Sequence, residues 1–313
     1  MSHPTPHLVT ILGPTASGKT NLGVRLALTL NGEILSADSR QIFRGMDIGT
    51  GKDLAEYQQV RHHLIDILAP GTPFSLFDFT RAFAVSFAEI VARGRQAILV
   101  GGTGLYLDAV LRGYSLTEVP PNPKLREELS RLDLPTLQER LRQRRPAPHN
   151  TTDLLDRERL VRAIEIAEGE DTAPAPDLPS PDHPCIPSST VFGLRWPREE
   201  LHRRIDFRLR SRLDQGLIEE VASLRNSGVS DRTLLEYGLE YRLVTQFLTG
   251  EIRNRNDLFQ KLRSAIHAYA KRQETWFRGM ERKGVTIHWL QGDLDPFAEA
   301  MALLGTRISP PTR

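Results

Sequence analysis

The feature that most constrains the fold of this chain is a glycine-rich stretch near its start. Residues 13–20 read Gly-Pro-Thr-Ala-Ser-Gly-Lys-Thr, which fits the pattern G-x-x-x-x-G-K-T. An apolar, β-branched run at 8–12 precedes it, and residues 21–27 follow with helical spacing. A strand, a glycine loop and a helix in this order form a phosphate cradle, because backbone N–H groups and the positive helix end point at the anion. A chance match on a tight turn is the alternative, which the flanking elements disfavour.

The cradle assigns phosphate binding to a continuous set of residues. They are Gly13, Pro14, Thr15, Ala16, Ser17, Gly18, Lys19 and Thr20. Lys19 adds a positive charge with a catalytic role, and the Thr20 hydroxyl is a ligand for Mg²⁺. The loop alone predicts a bound phosphate or diphosphate without specifying which compound carries it.

Length and composition set broad limits on the class of protein. The 313 residues are 39% hydrophobic, which suits one or two globular domains. No apolar run approaches the ~20 residues of a membrane span, and Met1 to His7 lack the layout of a signal peptide. Cys185 is the only cysteine. We therefore expect a cytoplasmic protein without a disulfide framework, and nothing in the sequence argues against a monomer.

Charge is unevenly distributed along the chain. Residues 1–121 hold 10 basic and 10 acidic side chains, whereas residues 195–283 hold 19 basic and 13 acidic ones. A solvated helical surface explains such a bias as well as polyanion binding does. Most of the basic residues in the second segment are arginines, which favours a polyanion because arginine binds phosphate through a forked pair of donors.

Strands alternate with helices in the first third of the chain. Short apolar runs at 33–37, 63–68 and 97–100 read as further strands, and 190–194 and 285–290 read as two later ones. Alternating strands and helices build a parallel sheet that is covered on both faces. We therefore predict an α/β protein with a P-loop NTPase-like parallel sheet, a helical insertion domain and a basic helical C-terminal part.

The insertion is predicted from a change of pattern after residue 121. Residues 124–168 read as helices only, and six prolines follow between 171 and 190, as in a linker or exposed loop. The predicted domains are therefore 1–121 for the first part of the core, 122–188 for the insertion and 189–313 for the return strand and the C-terminal helices.

Polar residues follow two of the predicted strands where ligands gather in such sheets. Asp38 ends the second strand and is placed to accept a proton from an attacking group, and Ser39, Arg40 and Gln41 can read a polar edge. A carboxylate that caps the next turn is the alternative for Asp38. Thr103, within Gly-Gly-Thr-Gly, either donates to a phosphate or begins the next helix as its N-cap.

A Walker B aspartate is not evident. The strand at 97–100 ends in Gly101-Gly102, and Asp66, which ends the strand predicted at 63–68, follows two histidines in place of four apolar residues. This pattern argues against an ATPase motor.

The predicted C-terminal helix mixes aromatic and basic residues. Its predicted buried stripe is Leu258, Leu262, Ile266, Tyr269, Gln273, Trp276 and Met280. Lys271, Arg272 and Arg278 fall outside this stripe and favour nucleic-acid binding, whereas a core role is favoured for Trp276.

Together these motifs resemble the bacterial tRNA dimethylallyltransferases, also called tRNA isopentenyltransferases, over residues 8–290. The resemblance includes the cradle at 13–20, Asp-Ser-Arg-Gln at 38–41, Met-Asp-Ile-Gly-Thr at 46–50, His-His-Leu-Ile-Asp at 62–66, Gly-Gly-Thr-Gly-Leu-Tyr at 101–106 and Lys-Arg-Gln-x-x-Trp-Phe-Arg at 271–278. It implies transfer of a dimethylallyl group from its diphosphate to N6 of the adenine directly 3′ of the anticodon, with Mg²⁺ as cofactor. The partners it implies are the tRNA anticodon arm and dimethylallyl diphosphate.

The resemblance also implies roles for residues at matching positions. Asp38 is the base at N6, residues 39–41 help to hold the flipped adenine, and Thr103 lies near donor and adenine. Thr20 helps to hold Mg²⁺, and Arg204 and Arg208 reach the diphosphate. The tRNA-binding residues it implies are Asp38, Ser39, Arg40, Gln41, Thr103, Glu158, Arg159, Leu160, Val161, Arg162, Lys271, Arg272 and Arg278.

Two other functions remain open from the residues alone. A P-loop kinase of a small metabolite would use Asp38 as its base and bind ATP tightly. A non-catalytic RNA-binding protein would keep the P-loop for structure only, and its function would survive replacement of Asp38.

Overall fold

The computed structural model describes residues 6–114, 116–144, 154–169 and 188–305. The chain divides into two compact units, Met1–Tyr114 with Asp182–Arg313, which we call the core unit, and Ser115–Pro181, which we call the helical unit. The helical unit overlaps the predicted insertion at 122–188. Cys185, residues 171–187 of the proline-rich stretch and the tail after Gly305 lie outside the described residues.

Six strands and twelve helices are found within those ranges. The strands are β1 (His7–Leu12), β2 (Gly32–Ala37), β3 (His62–His63), β4 (Gln96–Gly101), β5 (Ser188–Arg195) and β6 (Ile287–Gln291). The helices are α1 (Lys19–Leu30), α2 (Leu76–Ala92), α3 (Gly104–Leu111), α4 (Pro123–Ser130), α5 (Leu134–Arg144), α6 (Arg157–Gly169), α7 (Arg198–Asp214), α8 (Leu217–Asn226), α9 (Asp231–Glu236), α10 (Leu239–Leu248), α11 (Arg255–Arg282) and α12 (Pro296–Gly305). A 3-10 turn spans Leu54–Tyr57.

The strands form one parallel sheet in the order β3-β2-β4-β1-β5-β6. The strand β1 is therefore central, and its register pairs Leu12 with Gly101 of β4 and with Gly193 of β5. Its carboxyl end lies beside those of β4 and β5, where loops converge in such sheets. This arrangement confirms the predicted α/β fold class.

Apolar helix faces cover both sides of the sheet in the core unit. On one face, α2 buries Phe79, Phe83 and Phe87, which recur at helical spacing. This helix begins at a capping box in which Ser75 and Asp78 satisfy each other's backbone N–H groups. On the other face, α1 packs its buried apolar residues against β1 and β4. A third cluster joins α7, α8, α10 and α11.

The helical unit has a small core of its own. Five leucine and isoleucine side chains from α4, α5 and α6 are fully buried: Leu129, Leu137, Leu141, Leu160 and Ile164. Beside them, the buried Glu165 carboxylate accepts hydrogen bonds from Arg126, Arg162 and the Asn122 backbone. Burial raises the pKa of Glu165, but these hydrogen bonds outweigh it and lower the pKa to about 2.

The strand predicted at 63–68 is wrong for most of its length. The strand β3 covers only His62–His63. Leu64 and Asp66 follow with φ values of 65° and 54°, which end the pleat because extended backbone needs negative φ. The segment instead bonds to the loop after β2, where Asp66 N donates to Gln41 O and Leu68 N donates to Ile42 O.

The buried stripe of α11 also differs from the prediction. Ala270 and Phe277 are buried, whereas Tyr269 lines a cleft and Trp276 is half-buried against Gly104. Five of the seven predicted positions are buried, so the period is right and the predicted stripe is displaced by one residue at two places. Across the described ranges, no helix combines the length and apolar character that crossing a membrane requires.

Candidate active site

The glycine loop after β1 has the backbone of a phosphate cradle. Ala16 and Gly18 have φ values of 63° and 89°, and a Cβ at Gly13 would lie 2.7 Å from Ser17 Oγ. Gly18 precedes α1 directly and provides no side-chain cap, so the first N–H groups of that helix are available to an anion. Gly13 therefore permits a close approach of Ser17, and Gly18 adopts a positive φ without strain, as the motif predicts.

Two side chains from α7 and its N-terminal flank hold the loop from outside. Arg204 Nε donates to Ala16 O at 2.9 Å, and Trp196 Nε1 donates to Ser17 O at 2.8 Å. The Arg204 guanidinium also stacks on the Trp196 ring at 4.1 Å. The resemblance predicts that Arg204 reaches a diphosphate. Arg204 lies beside the phosphate loop, and its Nε already donates to the loop backbone.

A buried glutamine from α11 joins the cradle to the loop after β4. Gln273 Oε1 accepts from Thr15 N at 2.9 Å, and Gln273 Nε2 donates to Gly102 O at 2.9 Å. A Cβ at Gly102 would collide with Gln273 Nε2, so a larger residue there would displace the amide that joins the two loops. Helical spacing predicts that Gln273 is buried, but it does not indicate the partners of its amide. The presence of a polar residue in a buried helical stripe is the one sign in the sequence that it has such partners.

The two loops after β2 and β4 meet beside the cradle. Ser39 N donates to Thr103 Oγ1 at 3.1 Å, so this hydroxyl holds the Asp38 loop and makes no N-cap bond to α3. Asp38 Oδ1 accepts from Arg40 N at 2.9 Å, which is the turn-capping bond of the alternative interpretation. The Asp38 side chain also lines the cleft. The turn orients a carboxylate that still faces the substrate space.

Residues 49–51 belong to the next wall of the cleft. Two charged side chains, the half-buried Glu220 and the buried Lys52, hold the segment 47–52. The Glu220 carboxylate accepts from the backbone N–H groups of residues 47, 48 and 49 and from Tyr241 Oη. Lys52 is 1% exposed and bonds to Phe43 O and to the carboxylates of Asp47 and Asp66. Asp66 therefore serves a structural ion pair.

These elements enclose a cleft of about 880 Å³ in the core unit. Its walls come from the cradle, the loop after β2, the segment 49–57, the charged face of α7, the start of α10 and the face of α11 that holds Tyr269, Arg272 and Gln273. Arginines are concentrated on the α7 wall: Arg203, Arg204, Arg208 and Arg212.

The electrostatics of this cleft favour an anion. Burial and the neighbouring Arg208 lower the pKa of Lys19 to about 8, and burial and Arg212 lower the pKa of Arg208 to about 10. Glu240 lies at the start of α10, where burial raises the pKa of its carboxyl group. The lowered pKa values of Lys19 and Arg208 show positive charges that lack full compensation in the protein. A multiply charged phosphate compound would supply it.

The cleft also offers hard oxygen donors suited to Mg²⁺. Thr20, Asp38 and Asp53 line it, and among the described side chains no three His, Cys, Asp or Glu residues form a metal cage. Mg²⁺ often takes few protein ligands and completes its shell with phosphate oxygens and water. The donor set at Thr20 fits an ion held largely by a bound diphosphate.

Comparisons with known proteins identify the family of the chain. The family profile described as IPP transferase matches residues 41–280. The tRNA dimethylallyltransferase 2 of Syntrophotalea carbinolica is 60% identical over 294 residues, which cover 93% of this chain and 96% of that protein. The tRNA dimethylallyltransferase 1 of Geotalea uraniireducens is 57% identical, with coverage of 97% and 99%. The chain belongs to the IPP transferase family.

Solved structures of this family share the fold. The tRNA isopentenylpyrophosphate transferase of Bacillus halodurans superimposes with a TM-score of 0.67 at 33% identity, covering 96% of this chain and 94% of that one. A eukaryotic dimethylallyltransferase acting on tRNA has a TM-score of 0.76 at 21% identity, covering 98% and 82%. The second similarity concerns the fold alone.

The remaining residues predicted for this IPP transferase lie in three places. In the cleft, Arg40 Nη2 donates to Glu236 O and Gln41 is buried, with its amide bonded to Ser36 Oγ and Gly51 O. On α11, Arg272 lines the cleft, Lys271 is exposed, and Arg278 pairs with Glu274 at 3.7 Å. Contacts between these residues and tRNA stay predictions.

The third place is α6 of the helical unit. Glu158 and Arg159 are exposed, and Val161 is half-buried. Leu160 is buried in the core of that unit, and Arg162 bonds to Glu165 and Val119 O. Within this predicted tRNA-binding stretch, the side chains at 158 and 159 are therefore the ones that face solvent.

Proposed function

We propose that this protein transfers a dimethylallyl group from dimethylallyl diphosphate to N6 of the adenine directly 3′ of the anticodon in tRNA, releasing diphosphate. One observation carries the proposal: a phosphate cradle, a cluster of cations and the Asp38 carboxylate line the same cleft. The named relatives act as tRNA dimethylallyltransferases.

The ends of the neighbouring strands argue against a nucleotide hydrolase. The strands that flank β1 end at Gly101 and Arg195, and neither position supplies the carboxylate that a Walker B motif places beside the cradle. The cradle is therefore suited to hold a leaving diphosphate. This argument also disfavours the alternative of a small-metabolite kinase.

Departure of the diphosphate is assisted by positive charge. As the carbon–oxygen bond of the donor breaks, negative charge develops on the diphosphate, and Lys19, Arg208 and the N–H groups at the start of α1 are placed to stabilise it. When bound at Thr20, Mg²⁺ would neutralise further charge on the same group. Removing one such donor typically slows a reaction about 10²–10³-fold.

Proton removal is assigned to Asp38. Adenine N6 is a weak nucleophile because its lone pair is delocalised into the ring, so loss of a proton as the carbon–nitrogen bond forms lowers the barrier. The Asp38 carboxylate is oriented by Arg40 N and its loop is held by Thr103. The acceptor base has to leave its stack to reach this cleft.

The basic C-terminal helices and the solvent-facing residues of α6 are the surfaces we assign to the anticodon arm. Residues 195–283 hold 19 basic and 13 acidic side chains, and phosphate contacts of this kind set affinity without reading sequence. A tRNA substrate also implies a cytoplasmic location, and we propose that the protein acts as a monomer.

Purified protein incubated with dimethylallyl diphosphate, MgCl₂ and unmodified tRNA tests the proposal. We expect a digest to nucleosides to contain N6-dimethylallyladenosine by mass spectrometry. Phosphorylation of a small acceptor with ATP, and no prenylated nucleoside, would favour the kinase. Tight tRNA binding without any product would favour the non-catalytic RNA-binding protein.

A further inference from the structure

Two arginines of α7 meet at one glycine of the cleft wall. Arg208 and Arg212 lie one helical turn apart, and a Cβ at Gly51 would collide with Nη2 of both. Their guanidinium groups therefore lie side by side against the same backbone atom. Arg212 is 7% exposed, so water does little to screen the repulsion between the two charges.

The carboxylates around this arginine pair are few and distant. Arg208 Nη2 lies 3.8 Å from Asp53 Oδ2, and Arg212 Nη1 lies 3.9 Å from Glu240 Oε1. Both distances exceed those of a charge-assisted hydrogen bond, which are about 2.7–2.9 Å. The Arg208 Nε and Arg212 Nη2 atoms are buried and lack a hydrogen-bond partner in the described parts of the chain.

Buried guanidinium N–H groups without acceptors are costly and need a reason. Both side chains line the cleft together with Lys19. A guanidinium presents a planar fork that matches two oxygens of a phosphate group. An anion with several phosphate oxygens can bond to both guanidinium groups from the cleft and offset the repulsion between them, which one carboxylate at 3.9 Å does not.

We propose that Arg212 is a further binding residue for the donor diphosphate, acting beside Arg208. This inference rests on the proposed function, since it assigns the diphosphate to the same cleft. The sequence does not predict this role for Arg212, because an arginine in an arginine-rich helix carries no local sign of which face it occupies.

Inorganic pyrophosphate is the probe that tests this inference. Isothermal titration in MgCl₂ should show at least about tenfold weaker binding to Arg212→Gln than to the wild type, as expected for loss of a charged hydrogen bond. Arg210→Gln is the matched control, because Arg210 is exposed on the same helix and stacks on Phe259 outside the cleft. Its affinity should equal that of the wild type. Equal affinity in a folded Arg212→Gln protein would overturn the inference.

Glu240→Gln provides a second variant with the opposite sign. Removing this carboxylate takes away an anion that competes with the diphosphate for Arg212, so pyrophosphate should bind about threefold more tightly. Unchanged or weaker binding would overturn the inference even if Arg212→Gln fails to fold.

Pyrophosphate binding also separates this inference from the proposed function. It needs neither tRNA nor transfer, so a wild type that binds pyrophosphate through Arg212 but prenylates no tRNA would refute only the proposed function. Normal prenylation with unchanged pyrophosphate affinity in Arg212→Gln would refute only the role of Arg212.

Discussion

At the scale of single residues, Asp38 makes the turn-capping bond and also lies in the cleft, where the proposed proton transfer needs a carboxylate. Its carboxylate accepts from Arg40 N at 2.9 Å, as a turn cap does, and it also lines the cleft. The turn bond occupies Oδ1, and the second oxygen remains for a proton. A short-range bond of this kind orients a base without involving a distant partner.

Asp38→Asn separates the two functions. The amide oxygen of asparagine can accept the bond from Arg40 N, so the turn should persist, but the amide cannot accept a proton from adenine N6. We expect the rate constant of prenyl transfer in single-turnover assays to fall about 10²–10⁴-fold, with tRNA affinity within about twofold of the wild type. Lost tRNA binding would instead assign Asp38 to structure.

At the scale of elements, the cradle depends on a helix that is distant in sequence. The helix α11 reaches the loop through Gln273, which bonds to Thr15 N and Gly102 O. Because these bonds link the loops after β1 and β4 through one buried amide, the geometry of the cradle and the position of α11 are coupled.

Gln273→Met tests this coupling while preserving side-chain volume. The change leaves the buried Gly102 O and the part-buried Thr15 N without these partners. The buried group alone costs about 1–3 kcal/mol. We expect a lower melting temperature and pyrophosphate binding about tenfold weaker. The exposed Gln260 on the same helix is the matched control, and Gln260→Met should alter neither quantity. Wild-type pyrophosphate affinity in Gln273→Met would show that the cradle is independent of α11.

The helical unit depends on one buried carboxylate. The Glu165 side chain is 0% exposed and pairs with Arg126 and Arg162 at 2.9 and 2.6 Å. Glu165→Gln removes the charge but keeps the shape, and we expect a loss of about 2 kcal/mol from that unit. Hydrogen exchange of α4–α6 by mass spectrometry should be correspondingly faster. Glu127→Gln, in the exposed pair with Arg131, should leave exchange unchanged.

The same carboxylate sets a pH dependence. Its pKa is lowered in the fold from the usual 4.5 to about 2, so its stabilising contribution is complete above about pH 4.5 and is lost as the pH falls towards 2. The protection of α4–α6 should therefore decline over this range in the wild type and less steeply in Glu165→Gln. An equal decline in both proteins would remove Glu165 as the cause.

Across the whole molecule, the features that the sequence predicts are those whose residues lie close together along the chain. The cradle at 13–20 lies in one continuous segment, and its flanking strand and helix were evident from apolar spacing. The meeting of the Asp38 and Thr103 loops followed from the rule that ligands gather at the carboxyl ends of parallel strands. The hydrogen bond from Ser39 N to Thr103 Oγ1 shows that the two loops do meet.

Other parts of the site have no local signal. The bond between Gln273 and Thr15 spans 258 residues, and the Arg212–Glu240 pair depends on how α7 packs beside the start of α10. The strand predicted at 63–68 failed because the apolar residues there pack in a bent loop. An apolar pattern predicts that side chains are buried. It does not predict the positive φ values of Leu64 and Asp66, which end the strand where the segment bonds to the loop after β2.

The central claim is that this P-loop holds a leaving diphosphate and that carbon, not phosphorus, is transferred. Dimethylallyl diphosphate labelled with ¹⁴C in the alkyl chain and with ³²P in the diphosphate tests it in one reaction with MgCl₂ and unmodified tRNA. We predict that the tRNA gains ¹⁴C alone and that one ³²P-labelled diphosphate is released for each alkyl group transferred. Incorporation of ³²P into the tRNA, or diphosphate release without ¹⁴C in the tRNA, would contradict the claim.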